Sequence, residues 1–74
     1  MFFLRLNQIT ENVVLKISDI TDEQERIRLA DFGFIKGATI KIISKSKGMY
    51  LLRLNNSLYA INDFLASHFV VEEN

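Results

Sequence analysis

The feature that most constrains the fold is the stretch of residues 26–43, where a helical pattern changes to a strand pattern across two glycines. Before Gly33 the apolar residues recur at roughly helical spacing, and after Gly37 apolar and polar residues alternate as in a half-buried strand. A glycine just past the last helical residue takes the left-handed conformation that closes the final turn, so we predict that the helix ends near Gly33. Gly37 is predicted to make the tight turn that starts the strand.

Between these glycines lie Phe34 and Ile35, which cannot both point inward from so short a loop. Two alternatives follow for Phe34. Either it completes the core, or Phe34 or Tyr50 is exposed and forms an aromatic anchor, ringed by lysines, that docks on a partner. The second alternative gives six candidate partner-binding residues, namely Phe34, Ile35, Lys36, Lys47, Met49 and Tyr50.

The region before the helix predicts a strand and a helix start. Residues 13–17 are short and β-branched, which favours a strand. Thr21 with Gln24 three residues later predicts a capping box, and the acidic residues that follow Thr21 lie where the helix dipole favours negative charge. The helix is predicted over residues 22–32.

The second half of the chain predicts strands joined by tight turns. Asn55 and Asn56 tolerate the positive φ that a two-residue hairpin demands, so the residues on either side should pair antiparallel. Asn62 or Asp63 can cap a helical turn that runs to Ala66. The strands are predicted at residues 39–45, 49–54, 57–61 and 68–72, with residues 2–6 pairing with the last of them.

These elements predict one mostly β domain over residues 1–74, a small barrel of about five antiparallel strands. One α-helix is inserted after the first strand, and a short helical turn lies near the C-terminus. A chain this short buries only about 60% of the surface that its unfolded form exposes. Its hydrophobic fraction of 49% must build the core unaided, because there is no cysteine for a disulfide.

The sequence offers little material for catalysis. The single histidine, His68, falls in a predicted strand, and no glycine elbow precedes a serine. Three glycines are too sparse for a phosphate-binding loop. We therefore expect no enzymatic activity, no nucleotide and no other cofactor.

A metal site is a further possibility to weigh, because acidic residues cluster around the helix start. Oxygen ligands suit hard cations, but helix capping already accounts for this cluster, so we expect no metal site. The residues concerned are Asp19, Asp22, Glu23 and Glu25.

Charge and hydropathy bear on partners and location. Nine basic and nine acidic residues cancel, which argues against a nucleic-acid partner even though Lys41, Lys45, Lys47 and Arg53 lie near two tyrosines. No apolar run is long enough to span a membrane, and the N-terminus lacks the features of a signal peptide, so we expect a cytoplasmic protein.

The glycine-containing stretch resembles the FeoA family, small cytoplasmic accessories of bacterial ferrous iron uptake. The family pattern is Arg-Leu-x-(Asp/Glu)-Leu-Gly-(Leu/Phe)-x-x-Gly followed by a strand. The residues that fill it here are Arg28, Leu29, Asp31, Phe32, Gly33, Phe34 and Gly37. The resemblance continues through Ala60 and Ile61 to the closing residues 69–72, and it implies an SH3-like fold.

The resemblance also implies a function. It predicts an accessory protein that binds the FeoB ferrous iron transporter, at its cytoplasmic G-protein domain or its membrane-proximal face, and so reaches the membrane only through that partner. The alternative is an SH3-like regulatory or nucleic-acid-binding module that acts with a separate partner chain. Either type could form a homo-oligomer if an edge strand is exposed.

Overall fold

A computed structural model describes residues 3–9 and 12–73 of the chain. Six strands form one sheet, with one helix of eight residues and one of four. In chain order the elements are β1 (Leu4–Arg5), a 3₁₀ turn (Leu6–Gln8), β2 (Val14–Ile20), α1 (Glu23–Ala30), β3 (Thr39–Ser46), β4 (Met49–Leu54), β5 (Ser57–Asn62), α2 (Asp63–Ala66) and β6 (Phe69–Glu73).

All strand pairs are antiparallel, and the sheet order is β1-β6-β2-β3-β4-β5. The predicted mostly β fold with one inserted helix and a C-terminal helical turn is therefore confirmed. The sheet has six strands, so α1 follows the second strand, and within the described residues no pairing of β1 with β5 closes the barrel. The additional strand is β1, which pairs with β6 as predicted; Phe2, at the start of that predicted segment, lies outside the described residues.

The start of α1 differs from the prediction. Asp22 is the N-cap, and its carboxylate accepts a hydrogen bond of 3.0 Å from the backbone N–H of Glu25. The predicted capping box of Thr21 and Gln24 is wrong because Thr21 is used elsewhere. Its backbone N–H donates to the carbonyl of His68 at 2.8 Å, and its hydroxyl lies 3.2 Å from Nδ1 of the same histidine.

The end of α1 agrees with the prediction that Gly33 closes the helix. Gly33 has φ of +100°, its N–H donates to the carbonyl of Ala30, and the N–H of Phe34 donates to the carbonyl of Leu29. These two bonds around a left-handed glycine form the Schellman motif. Gly37 also has positive φ, and its N–H donates to the carbonyl of Ile17 at 2.8 Å, which fixes the start of β3 beside β2.

Two tight hairpins link β3, β4 and β5. Lys47 and Gly48 both have positive φ, as a type I′ turn requires, and Asn55 is left-handed with φ of +56°. The predicted asparagine hairpin is confirmed, since Leu54 pairs with Ser57 across it. The core lies inside the curved sheet and consists of Leu6, Leu15, Ile17, Ile20, Leu29, Phe34, Ile40, Ile42, Tyr50, Leu52, Leu54, Ile61, Ala66, Phe69 and Val71.

Candidate functional site

Phe34, the central residue of the candidate site, belongs to the core. Only 1% of it is exposed. Its ring packs edge-on against Tyr59, at 5.0 Å between centroids, and against Phe69, at 5.8 Å. Of the two alternatives for Phe34, the structure therefore shows the one in which it completes the core. The role of surface anchor is excluded for this side chain because a partner cannot reach it.

Tyr50 is also buried, with no exposed surface, so it is not a surface anchor either. It pairs with Lys45 across β3 and β4, and the Lys45 ammonium lies 4.9 Å from the centre of its ring. The pKa of Lys45 is raised, mainly because the Tyr50 side chain can act as its hydrogen-bond partner. Within the described residues, however, no hydrogen bond with good geometry reaches the Tyr50 hydroxyl. The interaction in place is thus a cation–π contact.

The other four candidates are exposed, but they lie in two separate places. Ile35 and Lys36 follow α1 at the end of the sheet where β3 begins, whereas Lys47 lies in the turn after β3 and Met49 is the first residue of β4. β3 has eight residues, so an extended strand of that length separates them by roughly 20 Å or more. The structure does not bring the six predicted residues together into one site.

The first place is an apolar surface at the end of α1, which we call the loop surface and define as Phe32, Ile35 and Lys36. All three side chains are exposed, Ile35 by 53%. The ring of Phe32 lies 5.9 Å from that of Tyr59 in an edge contact, which anchors this exposed aromatic to the sheet. The backbone around Ile35 is fixed, because its N–H donates to the carbonyl of Gly33 at 2.9 Å.

Ile27 and Phe32 are among the apolar residues that recur at roughly helical spacing before Gly33, a pattern that did not predict their exposure. A signal was nevertheless present. Ile27 and Leu29 are two residues apart and cannot share one face of a helix. Since Leu29 is the residue of α1 that is buried, Ile27 must point away from the core.

The second place is the hairpin surface, defined as Lys47, Met49 and Phe64. The N–H of Asp63 donates to the carbonyl of Gly48 at 2.7 Å, which holds the start of α2 against the turn between β3 and β4. Phe64 is the most exposed large apolar residue among those that the structure describes, at 72%. Its ring packs edge-on against the imidazole of His68 at 5.0 Å. Phe64 was not among the predicted site residues.

His68 takes part in a polar network that joins three segments. Its Nδ1 contacts the Thr21 hydroxyl, and the guanidinium of Arg5 donates to that hydroxyl at 3.3 Å and to the carbonyl of Ser67 at 3.0 Å. Nε2 of His68 is buried and meets no hydrogen-bond partner among the described residues. The network ties β1 to the start of α1 and to the start of β6, which is a structural role.

A groove of about 550 Å³ lies beside Lys36, between the loop surface and the β2–β6 pair. Its walls carry Lys16, Lys36 and Glu72, and therefore both signs of charge. Across the described residues, no group of three or more histidine, aspartate or glutamate side chains is placed to hold a metal ion. Neither helix that the structure describes is long and apolar enough to cross a membrane.

The fold is shared with solved structures of two kinds. One is an iron uptake regulatory protein, FeoA, with 21% identity, a TM-score of 0.84 and all of both chains covered. Another is a FeoA-like protein from Clostridium acetobutylicum, with 21% identity, a TM-score of 0.85 and coverage of 99% of this chain and 88% of that one. A manganese-dependent transcriptional repressor matches with 13% identity and a TM-score of 0.84, but 97% of this chain corresponds to 42% of the repressor.

At such identities the likeness establishes the fold alone. No curated protein sequence matches the chain. The sequence profile of the FeoA domain, in contrast, matches residues 4–73. That match includes Gly33 and Gly37 together with every strand and both helices that the structure describes, and it shows that this chain belongs to the FeoA domain family.

Proposed function

We propose that this chain is a non-enzymatic accessory protein of bacterial ferrous iron uptake, which binds the cytoplasmic part of a FeoB-type transporter and modulates its activity. The observation that carries the proposal is the FeoA domain match over residues 4–73. The exposed apolar side chains support it, since a small domain that shows several large apolar residues on one rigid segment offers a surface for another protein.

The loop surface is the docking surface that we propose. Phe32 and Ile35 supply apolar contact area, and Lys36 supplies a charge at its rim, which is the usual arrangement of an interface hot spot. The segment is held by the Schellman bonds and by the bond from Gly37 to Ile17. Because its backbone is already ordered, binding loses little conformational entropy there.

Docking would act on the transporter through its conformational equilibrium. A bound accessory changes that equilibrium only by the difference in its affinity for two states of the transporter. The proposal therefore requires that the transporter bind this chain more tightly in one conformational state than in another. Equal affinity in all states would leave transport unchanged.

The test is a pull-down of this chain against the purified transporter and its isolated G domain, at physiological salt, with and without guanine nucleotide. We expect retention on at least one of the two, and a dependence on nucleotide if the GTPase cycle is the step affected. Retention on neither in any nucleotide state would contradict the proposal.

A matched pair of variants locates the surface. Ile35→Asp places a charge in the loop surface, and Phe64→Asp places one in the hairpin surface; both positions are exposed, so both variants should fold. We expect Ile35→Asp to weaken binding about tenfold or more and Phe64→Asp to leave it unchanged. The reverse result would assign docking to the hairpin surface.

A second candidate is a regulatory module that acts with a separate partner chain, and the fold shared with a transcriptional repressor favours it. This chain corresponds to less than half of that repressor, so the remainder would have to come from the partner. The formal net charge of zero gives this domain no general attraction to nucleic acid. A complex with a DNA-binding chain, and none with the transporter, would support this candidate over the first.

A further inference from the structure

β5 is an edge strand of the sheet, and its free side is open. It pairs with β4 over all six residues, from Leu54 opposite Ser57 to Met49 opposite Asn62, without a shift of register. No other strand of the described chain pairs with it. The sheet thus ends in a six-residue strand without a bulge, whose outer side can accept another strand.

This edge lacks the devices that usually block strand addition. Edge strands are normally protected by charged side chains, by proline, by a bulge or by shortness. β5 has the sequence SLYAIN, with no charge and no proline, and Leu58 on its outer face is 53% exposed. The opposite edge, β1, is protected, because it has two residues and one of them is Arg5.

The backbone groups at the open edge can be assigned from the hairpin. In a two-residue hairpin the residues that flank the turn, here Leu54 and Ser57, form a hydrogen-bonded pair, and hydrogen-bonded pairs recur at every second residue. Ser57, Tyr59 and Ile61 therefore face β4. Leu58 and Ala60 direct their N–H and carbonyl groups outward, and neither makes a backbone hydrogen bond to another element of the described chain.

We propose that the occupant of this edge is a second copy of the same chain, paired antiparallel through β5 about a two-fold axis. In the register centred on Tyr59, Leu58 of each copy lies opposite Ala60 of the other. The large side chain of Leu58 then packs beside the small side chain of Ala60, and four new backbone hydrogen bonds form between the two copies. This proposal does not rest on the proposed function, since it uses only the geometry of β5.

Charge favours a second copy as the occupant. Self-pairing places every side chain beside one from the same strand, so a charged edge would meet its own charge across the axis. β5 carries none. The formal net charge of the chain is zero, so two copies do not repel each other at long range either. A two-fold pair also closes, because each copy uses the one long edge of its described sheet, and the other edge, β1, has two residues.

The first test is hydrogen exchange on the natural chain at increasing concentration, together with sedimentation equilibrium. We expect the mass to rise towards twice that of one chain, and the amides of Leu58 and Ala60 to slow about tenfold or more as it does. The amides of Tyr59 and Ile61, already bonded to β4, serve as the internal reference. A chain that stays monomeric at about 1 mM, or a dimer in which Leu58 and Ala60 exchange freely, would overturn the proposal.

A matched pair of variants adds a second test. Ala60→Pro removes an outward N–H without removing a bond to β4, and edge strands tolerate proline at such positions. Ala60→Ser keeps the amide. We expect Ala60→Pro to raise the concentration needed for dimerisation about tenfold or more and Ala60→Ser to leave it near that of the natural chain. Equal dimerisation of both folded variants would contradict the proposal; if the proline variant does not fold, the exchange measurement decides.

Discussion

Phe34 and Ile35 are adjacent in sequence, yet substitution by alanine should reduce stability strongly at Phe34 and hardly at all at Ile35. Phe34 is 1% exposed and packs against two aromatic rings, whereas Ile35 points outward. We expect Phe34→Ala to lower the free energy of unfolding by about 3–5 kcal/mol, the usual loss for a buried phenylalanine. Ile35→Ala should change it by less than about 0.5 kcal/mol.

The size of the Phe34 effect must be compared with the stability of so small a domain. At about 0.05–0.15 kcal/mol per residue, a chain of 74 residues has a free energy of unfolding of about 4–11 kcal/mol. Phe34→Ala therefore removes about a quarter of that stability at the least, and at the most its effect exceeds the whole stability, so that the variant does not fold. Phe34→Leu keeps most of the buried volume and should cost less, about 1–2 kcal/mol.

Urea unfolding followed by circular dichroism measures these differences. With a slope of about 1 kcal/mol/M for a domain of this size, Phe34→Ala should lower the midpoint by about 3 M or leave the chain unfolded without urea. Ile35→Ala should leave the midpoint within about 0.5 M. A loss below about 1 kcal/mol for Phe34→Ala would refute its assignment to the core, and only then would Phe34 become a candidate for docking.

Three further predictions concern α1 and two glycines with positive φ. Asp22→Ala should lower the free energy of unfolding by about 1 kcal/mol because it removes the N-cap, whereas Gln24→Ala should leave it almost unchanged. Thermal unfolding of the two variants measures this difference. In urea unfolding, Gly33→Ala should lower the free energy of unfolding more than Gly48→Ala does. Both glycines have positive φ, but only the new Cβ at Gly33 meets a side chain, that of Leu54 at 3.2 Å. Arg28→Ala should lower the free energy of unfolding by less than about 1 kcal/mol, since the Arg28 side chain in its ion pair with Glu25 is 66% exposed; salt should change the stability of the natural chain and this variant almost equally.

The secondary structure was predictable wherever one local rule decided it. The left-handed Gly33 and the asparagine hairpin were predicted correctly because each depends on backbone conformations that few residue types adopt. The N-cap of α1 was not predicted correctly, since Thr21 and Asp22 are both residue types that cap helices well. The choice between them depends on His68, 47 residues away, which takes the hydroxyl of Thr21.

The candidate site was less predictable, because it depends on which way side chains point after the chain has folded. Local sequence shows that Phe34 and Ile35 point in different directions, but it does not show which of them is inside. Phe34 is the one inside because its ring packs against the rings of Tyr59 and Phe69 on the inner side of the sheet. The separation of Lys36 from Lys47 likewise depends on the full length of β3, which the sequence pattern ended one residue early.

Tyr59 connects the two surfaces for which we propose partners. It lies in β5, and its ring contacts Phe34 in the core at 5.0 Å and Phe32 in the loop surface at 5.9 Å. Since Tyr59 faces β4 and the core, strand addition at the outer edge of β5 uses none of its backbone groups. Phe32 packs against Tyr59 of this edge strand, so docking requires that both loop surfaces remain accessible in the dimer; each copy of the pair can then still dock. A transporter that presents two binding sites would then bind such a pair more tightly than it binds two separate chains, provided that the two sites match its spacing.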